Sequence, residues 1–215
     1  MIVFDLDDTL YAERDFVRSG YLQVAKRLTV DHALELSDRM IDWFEDGNPD
    51  VFQTALAETG AATPIDELIQ TYREHRPAIR LAPTTAAAIS RLIQDGHTIG
   101  LMTDGRSVTQ RNKIAALGLD AVIDEVLISE EFGSEKPDER NYRHFERRFQ
   151  GSRFAYVGDN LAKDFITANR LGWTTVGLRD SGRNIHPQHP DLSAEDRCPQ
   201  FWVSSLGAEQ TPLGG

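Results

Sequence analysis

Three carboxylates stand directly after a short apolar run in the stretch MIVFDLDDTLY, at Asp5, Asp7 and Asp8. Ile2 and Phe4 in that run are of the β-branched and aromatic types that predict a short buried strand. Because side chains alternate along a strand, Asp5 and Asp7 would project to one side and Asp8 to the other. Two carboxylates this close repel each other unless a proton or a cation lies between them. The stretch predicts either a solvated acidic turn or a hard-cation site with one Asp available for chemistry.

Polar residues also follow three later apolar runs. Thr103 and Asp104 lie in LMTDG, Lys136 lies in SEKPD, and Asp159 and Asp164 lie in YVGDNLAKD. Each group alone is compatible with a turn, a helix cap or a solvated loop lysine. In a parallel sheet, however, ligands gather at the carboxyl ends of the strands, where all these residues would meet. Their combination favours one shared site over four unrelated loops.

Alternating strand and helix patterns would position these residues. Short apolar runs typical of buried strands are separated by segments with helical spacing, and several of the helices end at a glycine. Strands separated by helices of this length predict βαβ units and a doubly wound parallel α/β sheet. The predicted strands after the first lie at residues 98–102, 126–128, 154–157 and 174–178, with a further candidate at 201–203.

Residues 14–78 show helical spacing of apolar positions and contain no strand candidate. We interpret this stretch as a small helical domain inserted after the first strand, with Asp31 and Asp50 as N-caps of two of its helices. The predicted division is a core of residues 1–13 and 79–206, a helical cap of residues 14–78, and a flexible tail of residues 207–215.

The composition is that of an ordinary soluble globular protein. The 215 residues are 40% hydrophobic and 27% charged, and the single cysteine, Cys198, fits a reducing compartment. No apolar run approaches the roughly 20 residues that cross a bilayer, and no signal-peptide pattern is present. The net charge of −11 disfavours nucleic acid as a partner. We expect a cytoplasmic protein with a small phosphorylated molecule as its partner and no membrane contact, and we leave monomer and homodimer open.

Four sequence motifs closely resemble those of the haloacid dehalogenase superfamily of phosphotransferases. Residues 5–9 match its first motif, DxDxT, and Thr103 matches its second, a Ser or Thr after an apolar strand. Lys136 and Pro137 match the third motif, and the fourth, GDxxxxD, is matched by Gly158, Asp159 and Asp164. The helical insert resembles the smaller cap type of this superfamily, whose core is Rossmann-like. A single motif of this kind is common, whereas four in the family's order are specific.

The resemblance implies a phosphoryl-transfer site that depends on Mg²⁺. Asp5 and Asp159 would supply carboxylate ligands to the metal, and Asp7 would ligate it through its backbone carbonyl. Asp5 would be the nucleophile that forms an aspartyl phosphate. Asp7 would protonate the leaving alkoxide and then deprotonate the water that resolves the intermediate. Asp8, on the opposite face, would be structural.

Further residues would hold the phosphate and balance its charge. Thr103 and the backbone amide of Asp104 would hold phosphate oxygens, and Lys136 would offset the negative charge at the nucleophile. Asp164 would orient either Lys136 or a metal-bound water, and both alternatives stay open. Two further residues are supporting candidates, Thr9 and Asn160.

These features predict a magnesium-dependent phosphomonoester hydrolase that acts on a small phosphorylated metabolite, either a sugar phosphate or a nucleotide. Dehalogenases of the superfamily usually lack the second Asp of the first motif, so Asp7 favours phosphoester chemistry. A cap of this size suggests a small substrate closed off from bulk water. The alternatives are a phosphomutase or other phosphotransferase of the superfamily, and a non-enzymatic phospho-acceptor or ligand-binding protein. Candidate substrate contacts in or near the cap are Tyr11, Arg14, Tyr21, Arg73 and His75.

Overall fold

Six parallel strands form the sheet at the centre of the fold. The computed structural model describes residues 1–186, 188 and 196–207. In chain order the strands are β1 (Ile2–Phe4), β2 (Ile99–Thr103), β3 (Glu125–Ile128), β4 (Ala155–Gly158), β5 (Thr174–Leu178) and β6 (Phe201–Val203). Their spatial order is β3-β2-β1-β4-β5-β6. Val3 of β1 is paired with Gly100 of β2 on one edge and with Tyr156 of β4 on the other, so β1 is a central strand.

Helices cover both faces of this sheet. In chain order the helices are α1 (Glu13–Leu28), α2 (Ala33–Glu45), α3 (Val51–Thr59), α4 (Ile65–Glu74), α5 (Pro83–Gln94), α6 (Ser107–Ala116), α7 (Ser129–Phe132), α8 (Glu139–Arg148) and α9 (Ile166–Arg170). Side chains of β1 alternate between two buried clusters, with Val3 in one and Ile2 and Phe4 in the other. A parallel sheet buried on both faces confirms the predicted doubly wound α/β fold.

Four helices, α1 to α4, lie between β1 and α5 and have a buried cluster of their own. Apolar residues at helical spacing, among them Tyr21, Leu36 and Leu68, meet in this cluster. Phe16 of α1 instead packs into a cluster of the sheet, so α1 contacts both parts of the molecule. Within residues 12–78, all of which the structure describes, the regular elements are helices only. The division into a core and a cap of residues 14–78 stays a prediction.

Two predicted N-caps have different outcomes. α2 begins with His32 in the N-cap position, and the amide of Leu36 donates to the His32 carbonyl over 2.9 Å. Asp31 lies in the turn before it, so the prediction of Asp31 as an N-cap is wrong. Asp50 does occupy the N-cap position of α3, although its side chain makes no capping hydrogen bond. Of the predicted flexible tail, residues 208–215 lie outside the described part.

Among the described residues, no helix combines the length and the apolar composition that crossing a bilayer requires.

Candidate active site

The carboxyl ends of β1, β2 and β4 open into one cavity of about 110 Å³. Asp5 follows β1, Thr103 ends β2 and Asp159 follows β4, so the parallel register brings all three to the same edge of the sheet. The predicted site residues that line the cavity are Asp5, Asp7, Thr103, Asp104, Asp159 and Asn160. The remaining three, Thr9, Lys136 and Asp164, contact lining residues through hydrogen bonds.

Lys136 joins two of the predicted carboxylates. Its ammonium donates to Asp5 Oδ1 over 2.6 Å and to Asp164 Oδ1 over 2.8 Å, and it lies 3.1 Å from the Tyr156 hydroxyl. Burial would lower the pKa of Lys136, but Asp164 and Asp5 raise it well above its usual value. Burial raises the pKa of Asp5 to about 7, with Lys136 acting in the opposite direction. Lys136 is therefore held as a cation against the side chain predicted to be the nucleophile.

Asp164 ties together the loop that follows β4. Its Oδ2 accepts hydrogen bonds from the amides of Asp159 over 3.1 Å and of Asn160 over 2.8 Å, while Oδ1 faces Lys136. A Cβ at Gly158 would lie 2.5 Å from Asp164 Oδ2, so this close approach requires glycine. The contacts favour the alternative in which Asp164 orients Lys136.

Asp159 stands beside the two other buried carboxylates. The Thr9 hydroxyl donates to its Oδ1 over 3.2 Å, and Asn184 Nδ2 donates to its Oδ2 over 2.8 Å. Burial and then the carboxylates of Asp164 and Asp5 raise the pKa of Asp159 to about 9. Burial and neighbouring carboxylates both disfavour the charged form of Asp159, whereas a nearby cation would favour it.

The donor set fits a hard cation. Asp5, Asp159 and Asp164 each offer a carboxylate oxygen, and these atoms lie within 4.8 Å of one another. Oxygen ligands from two or three carboxylates are what Mg²⁺ prefers in proteins. Of the three, Asp164 already accepts bonds from Lys136 and two amides, so Asp5 and Asp159 are the better candidates for ligands.

Asp7 is held by three side chains that the sequence did not assign to it. Its Oδ1 accepts from the Tyr11 hydroxyl over 2.5 Å and from Lys113 over 2.7 Å, and its Oδ2 accepts from Gln110 over 3.0 Å and from Lys113 over 2.9 Å. Burial would raise the pKa of Asp7, but Lys113, Tyr11 and Gln110 together lower it. Gln110 and Lys113 are spaced i,i+3 on α6, which puts both on the face toward the sheet edge.

Thr103 and Asp104 are fixed by residues of the following elements. Gln110 Nε2 donates to the Thr103 hydroxyl over 2.5 Å, so the hydroxyl hydrogen is left to donate to another acceptor. Asp104 Oδ1 accepts from the backbone amide of Lys136 over 3.1 Å, and Asp104 Oδ2 accepts from Lys163 over 2.9 Å. The Thr103 hydroxyl and the Lys163 ammonium therefore lie at the wall of the cavity, where an anion would bind.

The sequence matches the model of the haloacid dehalogenase-like hydrolases over residues 2–178. The chain belongs to this family. A glyceraldehyde 3-phosphate phosphatase of Methanocaldococcus jannaschii is 30% identical over 95% of this chain and 92% of its own. A ribulose-1,5-bisphosphate 5-phosphatase of Halopiger xanaduensis is 26% identical over 96% and 95% of the two chains. The HAD-hydrolase YfnB of Bacillus subtilis has a similar fold, with a TM-score of 0.64 and 21% identity, and the match covers 95% of this chain and 94% of YfnB.

The predicted family and the predicted enzyme class, a phosphatase of the haloacid dehalogenase-like hydrolases, are therefore confirmed. The family's four motifs supply the residues at the cavity, and the structure adds Tyr11, Gln110, Lys113 and Asn184 as their partners. Tyr11 is already a candidate contact from the sequence, and the i,i+3 pair on α6 also leaves a sequence signal. The other contacts depend on how loops pack against the sheet edge.

Asp8 does not follow the strand alternation. Its backbone has a φ of 53°, in the left-handed region, and its carboxylate lines the cavity. The prediction that Asp8 points to the opposite face is wrong, because this left-handed residue ends the period of two. Its Oδ1 accepts from the amide of Glu13 and its Oδ2 from the amide of Ile185, each over 2.8 Å, which agrees with a structural role.

Of the five candidate substrate contacts, the structure brings only Tyr11 to the site, through its bond to Asp7. Arg14 pairs with Glu45 over 2.8 Å, and Tyr21 is buried among the helices α1 to α4. The ring of His75 is buried between Phe16 and Tyr72. Arg73 is exposed and does not line the cavity within the described part of the chain.

Proposed function

We propose that the protein is a magnesium-dependent phosphomonoester hydrolase that acts on a small sugar phosphate through an aspartyl-phosphate intermediate. The observation that carries this proposal is the pairing of Asp5 with the buried Lys136 in a cavity that Asp7 and Asp159 also line. We propose further that the enzyme is cytoplasmic and works as a monomer or a homodimer.

Asp5 is the nucleophile in this proposal. One of its oxygens attacks phosphorus while the bond from phosphorus to the leaving oxygen breaks. The ammonium of Lys136 stands 2.6 Å from Asp5 Oδ1 and reduces the repulsion between this carboxylate and the incoming phosphate dianion. The fixed contact orients the carboxylate before the substrate arrives.

Asp7 moves the protons. It donates a proton to the leaving alkoxide, and it then takes a proton from the water that attacks the phosphoenzyme and releases inorganic phosphate. All of its contacts with Tyr11, Gln110 and Lys113 stabilise the carboxylate form. To act as an acid, Asp7 must take up a proton and give up part of these contacts when the substrate binds.

The remaining residues hold the phosphate and the metal. The Thr103 hydroxyl and the amide of Asp104 bind phosphate oxygens, and Asp164 keeps Lys136 in place. The carboxylates of Asp5 and Asp159 and the backbone carbonyl of Asp7 would hold Mg²⁺. When bound, Mg²⁺ supplies positive charge beside the phosphoryl oxygens.

The size of the cavity favours a sugar phosphate over a nucleotide. Its volume is about 110 Å³, whereas pockets for drug-sized ligands measure roughly 300–1,000 Å³. Related proteins named as phosphatases of glyceraldehyde 3-phosphate and ribulose 1,5-bisphosphate point to substrates with three to five carbons. We therefore propose a triose or pentose phosphate as the substrate class, closed off by the helical cap of residues 14–78.

A panel of phosphomonoesters tests this proposal. Purified protein is assayed for phosphate release from glyceraldehyde 3-phosphate, ribulose 1,5-bisphosphate and a nucleoside monophosphate, with Mg²⁺ and with excess EDTA. We expect the highest kcat/KM on a triose or pentose phosphate and no turnover in EDTA. A preference for the nucleotide would overturn the substrate class, and full activity in EDTA would overturn the metal dependence.

A further inference from the structure

The loop that follows β5, residues 179–186 and hereafter the β5 loop, has a shape fixed by one carboxylate. Asp180 Oδ1 accepts hydrogen bonds from the amides of Gly182 over 2.7 Å, of Arg183 over 3.0 Å and of Asn184 over 3.1 Å. Gly182 has a φ of 83°, which a residue with a Cβ adopts only at a cost. Three amides bound to one side chain hold the following residues in a defined position.

The β5 loop reaches the carboxylates of the candidate metal site. Asn184 Nδ2 donates to Asp159 Oδ2 over 2.8 Å, and the amide of Ile185 donates to Asp8 Oδ2 over the same distance. An ionised Asp159, the form that would bind a cation, can only accept hydrogen bonds, and the amide nitrogen of Asn184 faces it. No family motif assigns a role to either loop residue.

The same loop also rests on the helices α1 to α4. The side chain of Ile185 is half-buried against their cluster, and Arg183 pairs with Asp15 of α1 at 3.6 Å. That ion pair is exposed and contributes little. Ile185 adds an apolar contact between the loop and these helices.

We infer that Asn184 is a positioning residue of the metal site, held in place by the β5 loop. The inference rests on the proposed function, because it takes Asp159 as a ligand. An ionised carboxylate has about four acceptor positions. Thr9 occupies one on Oδ1 and Asn184 one on Oδ2, so both oxygens are oriented while lone pairs stay available to a cation. Partners that orient a ligand in this way typically contribute about 10–100-fold to metal affinity.

The test compares two substitutions in the same loop. Asn184→Ala removes the bond to Asp159, whereas Arg183→Ala removes only the exposed pair with Asp15. Binding of Mg²⁺ alone to the purified full chain is measured by isothermal titration calorimetry. We expect Asn184→Ala to bind Mg²⁺ about 10–100-fold more weakly than the wild type, and Arg183→Ala to bind it as the wild type does.

Kinetics provide a second readout that a merely structural residue would not change. In Asn184→Ala the Mg²⁺ concentration for half-maximal activity should rise by the same factor, while kcat at saturating Mg²⁺ stays close to that of the wild type. Asn184→Ser, whose hydroxyl is too short to reach Asp159, should behave like the alanine variant. Circular dichroism verifies that each variant is folded.

The outcomes separate this inference from the proposed function. Wild-type affinity for Mg²⁺ in both Asn184 variants would overturn the positioning role and leave the proposed hydrolase intact. An equal loss of affinity in Arg183→Ala would also overturn it, because the effect would then come from the loop as a whole. A wild-type protein that binds no Mg²⁺ would overturn the metal dependence itself.

Discussion

The ammonium of Lys136 lies 2.6 Å from the carboxylate of Asp5, although 131 residues separate the two in the chain. Asp164, in the loop after β4, lies 2.8 Å from the same ammonium. The side chains of Asp5, Lys136 and Asp164 are all buried. One buried cation thus compensates two buried carboxylates. Removing it would leave two buried carboxylates without a neutralising cation, which costs more than the loss of an exposed ion pair.

We expect Lys136→Met to lower both stability and turnover. The free energy of unfolding should fall by about 3–5 kcal/mol, because one partner of a buried ion pair is removed. The kcat should fall roughly 10²–10³-fold, as for the loss of one preorganised electrostatic contact. Urea unfolding and steady-state kinetics measure the two effects.

Lys163→Met is the matched control for stability. Lys163 pairs with Asp104 at 2.9 Å, but its side chain is 32% exposed. We expect a loss of about 1 kcal/mol or less. Equal losses of stability in the two lysine variants would show that burial of Lys136 does not set its contribution.

Asp5→Asn should abolish turnover on every phosphoester. The amide keeps the size of the side chain, but its oxygen is too weak a nucleophile to form a covalent bond to phosphorus. Mass spectrometry of acid-quenched protein should find a phosphorylated Asp5 peptide in the wild type and none in the variant. Turnover by Asp5→Asn at more than a trace of the wild-type rate would mean that another group attacks phosphorus.

Asp7→Asn should retain the first chemical step on a substrate with a good leaving group. On alkyl phosphates we expect kcat to fall roughly 10²–10⁴-fold, because general acid and base catalysis are lost. With p-nitrophenyl phosphate, whose leaving group needs little protonation, the phosphoenzyme should form and accumulate. Rapid-quench measurement of the burst tests this expectation. A kcat on alkyl phosphates close to that of the wild type would show that Asp7 is not the acid and base.

The sequence was sufficient to predict the sheet and the residues at its edge. Apolar strands such as β2 and β4 end in short polar stretches. A parallel sheet brings these ends to the same edge, whatever the conformation of the loops that follow. Asp5, Thr103 and Asp159 lie together for this reason. The alternation of apolar strands and polar strand ends predicts the approximate positions of these residues, and the order of the four motifs predicts their roles.

The sequence did not predict which side chains would contact these residues. Lys113 lies on α6 and Asn184 in the β5 loop, and each meets its carboxylate only through tertiary packing. The predicted orientation of Asp8 is wrong because strand alternation does not continue through a residue with a positive φ. The N-cap prediction for Asp31 is wrong because α2 begins one residue later than expected, with His32 in the N-cap position and no side-chain capping bond.

The buried ring of His75, which lies outside the catalytic carboxylates, should make the stability of the protein depend on pH. Its Nδ1 lies 2.6 Å from the Tyr72 carbonyl, which can only accept, so Nδ1 carries the hydrogen in the neutral ring. Nε2 is buried and has no hydrogen-bond partner among the described residues. Burial lowers the pKa of His75 below its usual 6.5. The positive charge of Lys113 lowers the pKa further, whereas the hydrogen bond to the Tyr72 carbonyl raises it. The folded protein therefore resists protonation of this ring.

The sign of the effect follows from proton uptake. As the pH falls below 6.5, the unfolded chain binds a proton at His75 that the folded protein does not bind, so the free energy of unfolding falls. His75→Gln cannot be protonated and should lose less stability between about pH 7.5 and about pH 5.5 than the wild type does. Urea unfolding of the two proteins at both pH values, in EDTA, makes the comparison. The same pH dependence in His75→Gln and in the wild type would show that the buried ring is not responsible.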